Sequence, residues 1–141
     1  KGMLAVDNAK LAYADWSEAM ASERWGRLAQ AGARPQRLLW ASTGTKNPDY
    51  APTMYVEPLI GADTVTTLPT PTLDAYRASG DPADRIGDGL EQARDRMVEL
   101  AELGIDIDAV TARLEEEGVE KFVTPFTSLL ATLQQAVERA R

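Results

Sequence analysis

The sequence predicts an α/β fold over residues 1–80 and a purely helical segment over residues 81–141, so that most residues are helical. Two short β-rich runs alternate with helical patterns in the first part, and only helical periodicity follows. This alternation predicts a parallel sheet with right-handed crossovers. Because two parallel strands need neighbours at their edges and cover on both faces, we expect the chain to be the C-terminal piece of a longer domain.

The first element is a predicted helix over residues 4–29. Charged residues interleave with apolar ones at roughly helical spacing. The apolar positions are Leu4, Leu11, Trp16, Met20, Trp25 and Leu28. Gly32 ends the pattern and Pro35 reinforces the stop.

The next element is a short strand, Leu38–Ala41, which runs directly into a polar loop. The loop carries hydroxyls, one cation and one amide, at Ser42, Thr43, Thr45, Lys46 and Asn47. A strand carboxyl end that delivers such groups to one place is how α/β barrels build anion sites. The loop is therefore the main candidate for a functional site.

A second strand-and-helix unit follows. Residues 50–60 predict a short helix with Pro52 in its first turn, where a missing N–H costs little. The second strand is Thr64–Leu68. A helix is expected over residues 72–78, with Thr70 as its N-cap and Gly80 as its stop.

The last part, residues 81–141, predicts three helices. The first carries apolar residues from Ile86 to Leu103 and closes at Gly104. Asp106 or Asp108 caps the second, which stops at Gly118. The third carries regularly spaced apolar residues, at Phe122, Phe126, Leu129, Leu130, Leu133 and Val137.

Composition excludes several classes of protein. A hydrophobic content of 44% and a charged content of 26% fit an ordinary globular domain. The sequence has no Cys and no His, which removes disulfides, thiolate chemistry and His-based catalysis. A net charge of −7 argues against nucleic acid as a partner. Without a membrane-spanning run or a leader pattern in residues 1–6, we expect a soluble, cytoplasmic protein with no membrane partner.

Several segments resemble, in order, the last part of bacterial transaldolases of the actinobacterial and cyanobacterial type. Residues 34–48, around Trp-Ala-Ser-Thr-Gly-Thr-Lys-Asn, resemble the seventh strand and its loop. The remaining matching segments resemble the sixth helix, the seventh helix with the eighth strand, the start of the eighth helix and the tail helix. These segments are residues 8–13, 55–69, 70–75 and 115–122.

The resemblance implies the last two strands of a (β/α)8 TIM barrel with their helices (residues 1–80), plus the helical C-terminal extension of the same domain (residues 81–141). It also implies a reaction of the pentose phosphate pathway. A dihydroxyacetone unit passes from sedoheptulose 7-phosphate to glyceraldehyde 3-phosphate through a lysine Schiff base, with no metal or organic cofactor.

The catalytic groups that the resemblance implies lie upstream of this sequence. The family's Schiff-base lysine belongs to the fourth strand, and its acid–base Asp and Glu belong to the first and third. No lysine in this sequence takes their place: Lys1, Lys10 and Lys121 lie away from a strand end, and Lys46 lies in a loop. We therefore expect no catalytic residue in this chain and no activity from it alone.

The resemblance also implies a phosphate site in the loop after the seventh strand. The Ala41-Ser42 pair followed by a basic residue, Lys46, resembles the family's pattern, although Lys46 lies slightly further along the loop. Ser42 would donate its hydroxyl to a phosphate oxygen and Lys46 would supply charge. Thr43 and Asn47 are weaker candidates. The alternative is a solvated lysine in a turn, with Ser42 merely ending the strand.

Two other functions stay open from the sequence. One is a different phosphosugar aldolase on the same barrel, and the other is a non-enzymatic helical module whose strand-like runs are loops or dimer contacts. In the barrel interpretations the partners are sugar phosphates, and the exposed sheet edge self-associates or binds the missing N-terminal part.

Overall fold

The structure, a computed structural model, describes residues 2–139 and forms two compact units, Lys1–Val98 and Glu99–Arg141. It is mostly helical, with one small parallel sheet. Within the described residues the elements are α1 (Leu4–Ala21), α2 (Glu23–Gln30), β1 (Leu38–Trp40), a 3₁₀ turn (Glu57–Leu59), β2 (Thr64–Thr66), α3 (Thr70–Ser79), α4 (Leu90–Glu102) and α5 (Ile107–Arg139).

The predicted single helix over residues 4–29 is two helices, because Ser22 breaks it. Ser22 has extended backbone angles, φ −71° and ψ 150°. Its hydroxyl donates to Ala19 O at 2.7 Å and accepts from Trp25 N at 3.2 Å. One serine therefore closes α1 and caps α2, which is the role that serine performs best at a helix start.

The two β-rich runs are strands, as predicted, and they pair with each other. β1 and β2 are parallel in the register Leu38↔Thr64, Leu39↔Val65 and Trp40↔Thr66. Both are shorter than the predicted spans of residues 38–41 and 64–68. This parallel pair fits a fragment of an α/β fold, and it contradicts the interpretation of the runs as loops.

The predicted helix over residues 50–60 is wrong. The segment forms turns and the 3₁₀ turn Glu57–Leu59. Most of its backbone hydrogen bonds span three residues, as from Val56 N to Thr53 O at 2.9 Å and from Leu59 N to Val56 O at 3.1 Å, and only the one from Glu57 N to Thr53 O spans four. Pro58 explains this, because it has no N–H and its ring obstructs the carbonyl four residues earlier in an α-helix.

Two further boundaries differ from the prediction. α3 begins at Thr70, and its cap position is Pro69, without a side-chain cap, so Thr70 is not the N-cap. The helix starts earlier because a first turn tolerates Pro71, whose N–H has no helical partner there. α4 begins at Leu90 and not near Ile86, because the Arg85 and Ile86 N–H groups both donate to Ile60 O, at 2.9 and 3.0 Å.

The core of the first unit lies on one face of the sheet. Val6 of α1, Leu59 of the 3₁₀ turn and Ile86 are at most 5% exposed. Partly buried residues pack around them, namely Ala9, Tyr13, Trp40 and Tyr55. The core therefore joins α1, β1 and the connection between the strands.

The second unit contains α5, which is continuous although two helices were predicted. The predicted start is confirmed, because Asp106 Oδ1 accepts from Asp108 N and Ala109 N at 3.0 and 3.1 Å. Gly118 does not end the helix, since an interior glycine costs only about 1 kcal/mol relative to alanine. Pro125 also lies inside the 33-residue helix. None of the helices within residues 2–139 combines the length and apolar content that crossing a bilayer requires.

Candidate functional site

A cavity of about 740 Å³ lies at the carboxyl end of β1, in the first unit. Three elements line it: α1, β1 with its following loop, and the segment between the strands. All four residues predicted for phosphate binding are among its lining residues, namely Ser42, Thr43, Lys46 and Asn47. The structure therefore brings the predicted residues to one place.

Ser42 begins the loop in an unusual conformation. Its φ is +58°, a left-handed value that costs a non-glycine residue on the order of 1 kcal/mol or more. The turn diverts the chain at the strand end, beside the cavity. Ser42 is exposed, and its hydroxyl has no hydrogen-bond partner among residues 2–139. The hydroxyl is therefore free to donate to a ligand.

Lys46 is the cation of this cavity. Its side chain is exposed, and no carboxylate within the described part of the chain pairs with it. The other lining residues carry no charge. An ammonium group that no internal anion neutralises favours the binding of an anion from solution.

Thr43 is positioned differently from its neighbours. It is 2% exposed, and its hydroxyl donates to Thr67 O at 2.6 Å. This bond ties the loop after β1 to the segment after β2. Because the single hydroxyl proton is already used, Thr43 holds the loop in place and has no side-chain proton left for a ligand.

Asn47 and Gly44 shape the rest of the loop. Asn47 Oδ1 accepts from Asp49 N at 3.0 Å, which forms a local turn and leaves the side-chain NH₂ group as a donor. A Cβ added to Gly44 would lie 3.1 Å from Pro69 Cγ, tighter than an ordinary contact. Glycine therefore lets the loop pass close to the start of α3.

Three polar lining residues were not predicted: Asn8 of α1, Tyr50 and Tyr55. Asn8 lies among three alanines spaced along one face of the helix, Ala5, Ala9 and Ala12. Small side chains leave the cavity open, and the amide adds a donor and an acceptor to it. A stripe of alanines around one asparagine was the signal available in the sequence.

A second cluster of charges lies apart from this cavity. Asp7 is 1% exposed and accepts two bonds of 2.6 Å from Arg96 of α4. Lys10 Nζ donates to Arg85 O at 2.8 Å and Asp88 O at 2.7 Å. Burial lowers the pKa of Lys10, while the charges of Asp88 and Asp7 oppose that shift. Lys10 therefore fastens α1 to the segment before α4.

The cavity at the end of β1 is suited to binding an anion. It offers one ammonium group, side-chain amides and the hydroxyls of Ser42, Tyr50 and Tyr55, which have no hydrogen-bond partner among residues 2–139. Its lining contains no carboxylate that would repel an anion. Within residues 2–139 the acidic side chains form no group that could hold a metal ion.

Comparison with known proteins gives a consistent result. Residues 1–133 match the family described as transaldolase/fructose-6-phosphate aldolase. The chain is 48% identical over 133 residues to a transaldolase of Thiobacillus denitrificans, covering 94% of this chain and 37% of the relative. A transaldolase of Trichodesmium erythraeum is 45% identical over 141 residues, covering 99% of this chain and 37% of the relative.

A third relative agrees with these. A protein named transaldolase 2 from a Nostoc species is 44% identical over 140 residues, covering 98% of this chain and 37% of the relative. The chain thus spans little more than a third of the length of these relatives, and it corresponds to their C-terminal portion.

Proposed function

Because this chain belongs to the transaldolase/fructose-6-phosphate aldolase family, we propose that it forms the phosphate-binding part of a transaldolase. The reaction would move a dihydroxyacetone unit from sedoheptulose 7-phosphate to glyceraldehyde 3-phosphate, in the cytoplasm, as a step of the pentose phosphate pathway. The donor would be held as a Schiff base on a lysine, whose iminium accepts the electrons released by carbon–carbon cleavage.

The cavity at the end of β1 is the observation that carries this proposal. It gathers a lysine and a serine hydroxyl that have no counter-ion and no hydrogen-bond partner, respectively, among residues 2–139. Both sugar substrates end in a phosphate, and the reaction leaves that group unchanged. A fixed phosphate contact would therefore position the reacting carbons without taking part in the chemistry.

Each loop residue would have its own role. Lys46 would supply a point charge, Ser42 a hydroxyl donor and Asn47 an amide donor to phosphate oxygens. Thr43 would act as a positioning residue, since its bond to Thr67 O fixes the loop relative to β2. The left-handed backbone of Ser42 would direct the loop across the cavity.

The catalytic groups would come from the part of a full-length transaldolase that this chain does not match. Lys10, the buried lysine of α1, donates to two carbonyl oxygens and does not line the cavity at the end of β1. Lys46 is exposed and lies in a loop, whereas the lysines that form Schiff bases in enzymes are activated by desolvation or by a neighbouring charge. The chain alone would therefore bind a sugar phosphate without turning it over.

The test is a titration of the chain with glyceraldehyde 3-phosphate and, separately, inorganic phosphate, followed by backbone amide chemical shifts. We expect shifts at Ser42 and Lys46, and at least tenfold weaker binding for Lys46→Met. Lys121→Met in α5 is the matched control, because it removes an equal charge from the second unit and should leave the affinity unchanged.

Two outcomes would contradict the phosphate assignment. One is saturable binding that Lys46→Met leaves intact, which would place the anion elsewhere. The other is an equal loss of affinity in both lysine variants, since net charge alone would then account for the binding.

A further inference from the structure

The loop after β1 is fastened to the segment that leads from β2 into α3. Thr43 Oγ1 donates to Thr67 O at 2.6 Å. The backbone N–H and the hydroxyl of Thr67 both donate to Trp40 O, at 2.9 and 3.2 Å. Thr67 therefore holds the end of β1 and the start of the loop together, and α3 begins only three residues after it.

Gly44 packs directly against the first turn of α3. A Cβ built on Gly44 would lie 3.1 Å from Pro69 Cγ and 3.6 Å from Thr72 Oγ1. Pro69 occupies the cap position of α3, and Thr72 in the first turn is 5% exposed. Because a proline ring restricts its own backbone and a buried side chain has little room to move, the start of α3 is a fixed support for the loop.

The loop is fixed a second time at its other end. Asn47 Oδ1 accepts from Asp49 N at 3.0 Å, and Asn47 O accepts from Tyr50 N at 3.1 Å. Only two residues separate this turn from Gly44, and Lys46 is one of them. A short span between two fixed points restricts where the ammonium group can lie, which lowers the entropy cost of binding an anion there.

We propose that Pro69 and Thr72 are positioning residues of the phosphate site, although neither lines the cavity. They set the distance between the loop and α3, and through Gly44 they set the placement of Ser42 and Lys46. Neither residue would touch the ligand. The inference rests on the proposed function for the identity of that ligand, whereas the contact between the loop and α3 does not depend on it.

Gly44→Ala changes this contact and little else. The backbone of Gly44 is not in the left-handed region, so alanine adds no backbone strain. The new methyl group would lie closer to Pro69 Cγ than ordinary van der Waals contact allows, and one of the two must move. Because the ring belongs to α3 and the loop borders an open cavity, we expect the loop to move.

The test is a double-mutant cycle in which isothermal titration calorimetry measures the binding of inorganic phosphate. Gly44→Ala should weaken binding at least about fivefold in the unsubstituted chain, but less than about twofold in a Pro69→Ala chain, which lacks the obstructing Cγ. Gly87→Ala is the matched control, because a Cβ there meets nothing within 4 Å. It should leave the affinity unchanged.

Substitutions at Thr72 give a second test if Gly44→Ala fails to fold. The Thr72 hydroxyl has no hydrogen-bond partner among residues 2–139, so Thr72→Val keeps the branched shape and breaks no bond. Thr72→Ala leaves a gap beneath Gly44. It should bind phosphate about threefold more weakly than Thr72→Val, because a looser loop loses more freedom on binding.

A measurement without ligand separates this inference from the proposed function. In the ligand-free chain, Gly44→Ala should shift the backbone amide resonances of Thr43 and Lys46, and the addition of Pro69→Ala should reverse these shifts. If both effects appear while the unsubstituted chain binds no phosphate, the phosphate assignment is wrong and the control of the loop by α3 holds.

Three results would overturn the proposal. Gly44→Ala could bind phosphate as tightly as the unsubstituted chain. Its loss of affinity could be just as large in the Pro69→Ala chain, or Thr72→Ala could bind as tightly as Thr72→Val. Rescue by Pro69→Ala is decisive, because a general loss of stability would not be reversed by a second substitution that removes further packing atoms.

Discussion

Both units of this chain contain amphipathic helices, but they differ in how far the apolar residues are buried. In the first unit Val6 is fully buried, and Ile86 is 3% exposed. In α5 of the second unit Phe122 is 83% exposed and Leu114 is 62% exposed. Helical periodicity identifies an apolar face, but it does not show whether anything covers that face. Stability should therefore respond to substitution in the first unit and hardly at all in the second.

The largest difference is expected for buried and exposed carboxylates. Asp7→Asn removes the anion that Arg96 binds, and should cost about 2–3 kcal/mol, less than for a fully buried pair because Arg96 is 41% exposed. Urea unfolding followed by tryptophan fluorescence measures this, since Trp16, Trp25 and Trp40 all lie in the first unit.

Glu117→Gln in α5 is the control for Asp7→Asn. Glu117 pairs with Arg113 at 2.8 Å, but its side chain is 40% exposed. Its loss should change the thermal unfolding of the helix, followed by circular dichroism, by less than about 0.5 kcal/mol. Equal costs for the two substitutions would contradict the distinction between the units.

Glycine-to-alanine substitutions should change stability in opposite directions. A Cβ at Gly61 would overlap the buried Ile86 side chain, so Gly61→Ala should destabilise the first unit by about 2 kcal/mol. A Cβ at Gly118 meets nothing within 4 Å, so Gly118→Ala should stabilise α5 by about 1 kcal/mol. Thermal melts by circular dichroism give both signs, and a loss at Gly118 would mean that its surroundings are filled.

Two valines in helices make a similar pair. Val6 is 0% exposed, and Val6→Ala should cost about 1.5–2 kcal/mol through lost burial and the cavity left behind. Val119 is 60% exposed, and Val119→Ala should be neutral or stabilising by about 0.5 kcal/mol, because alanine is the better helix former. Chemical denaturation of both variants checks this. A cost at Val119 as large as at Val6 would show that α5 is covered in solution.

The smallest effect is expected for the pH dependence of the free energy of unfolding. Burial lowers the folded-state pKa of Lys10 below its ordinary value of 10.5, so the unfolded chain binds more protons between those two values. The free energy of unfolding should therefore rise with pH across that window. Lys10→Met should lose this rise, while Lys121→Met, in an exposed pair, should keep it. If the free energy of unfolding of the unsubstituted chain instead fell with pH in this window, relative to that of Lys10→Met, the prediction would be wrong.

The features that the sequence predicted correctly are local. The strands that begin at Leu38 and Thr64, although each is shorter than predicted, the Gly104 stop with its φ of +77° and the Asp106 cap each follow from a few adjacent residues. The position of the polar loop after β1 could also be predicted, because hydroxyls and a lysine directly follow the strand, and its role in binding phosphate stays a prediction.

The features that could not be predicted from the sequence depend on competing local preferences or on contacts between residues far apart in the sequence. Ser22 breaks the helix although the apolar residues around it continue the helical pattern. Pro58 prevents an α-helix over residues 50–60 that the neighbouring residues favour. Gly118 was predicted to end a helix, but it lies inside the continuous helix α5. The engagement of Thr43 with Thr67, and the approach of Asn8 to the cavity, require the tertiary fold.

The most direct test of the central claim is intact mass spectrometry after treatment with fructose 6-phosphate and borohydride, which traps a Schiff base. It is run on the chain alone and on the chain mixed with the N-terminal part of the Thiobacillus denitrificans transaldolase, the part that this chain does not match. We predict that the chain stays at its unmodified mass of 15.3 kDa in both samples and that the upstream part gains one trapped three-carbon unit. A trapped unit on this chain would contradict the account and move the catalytic lysine to Lys46 or Lys10.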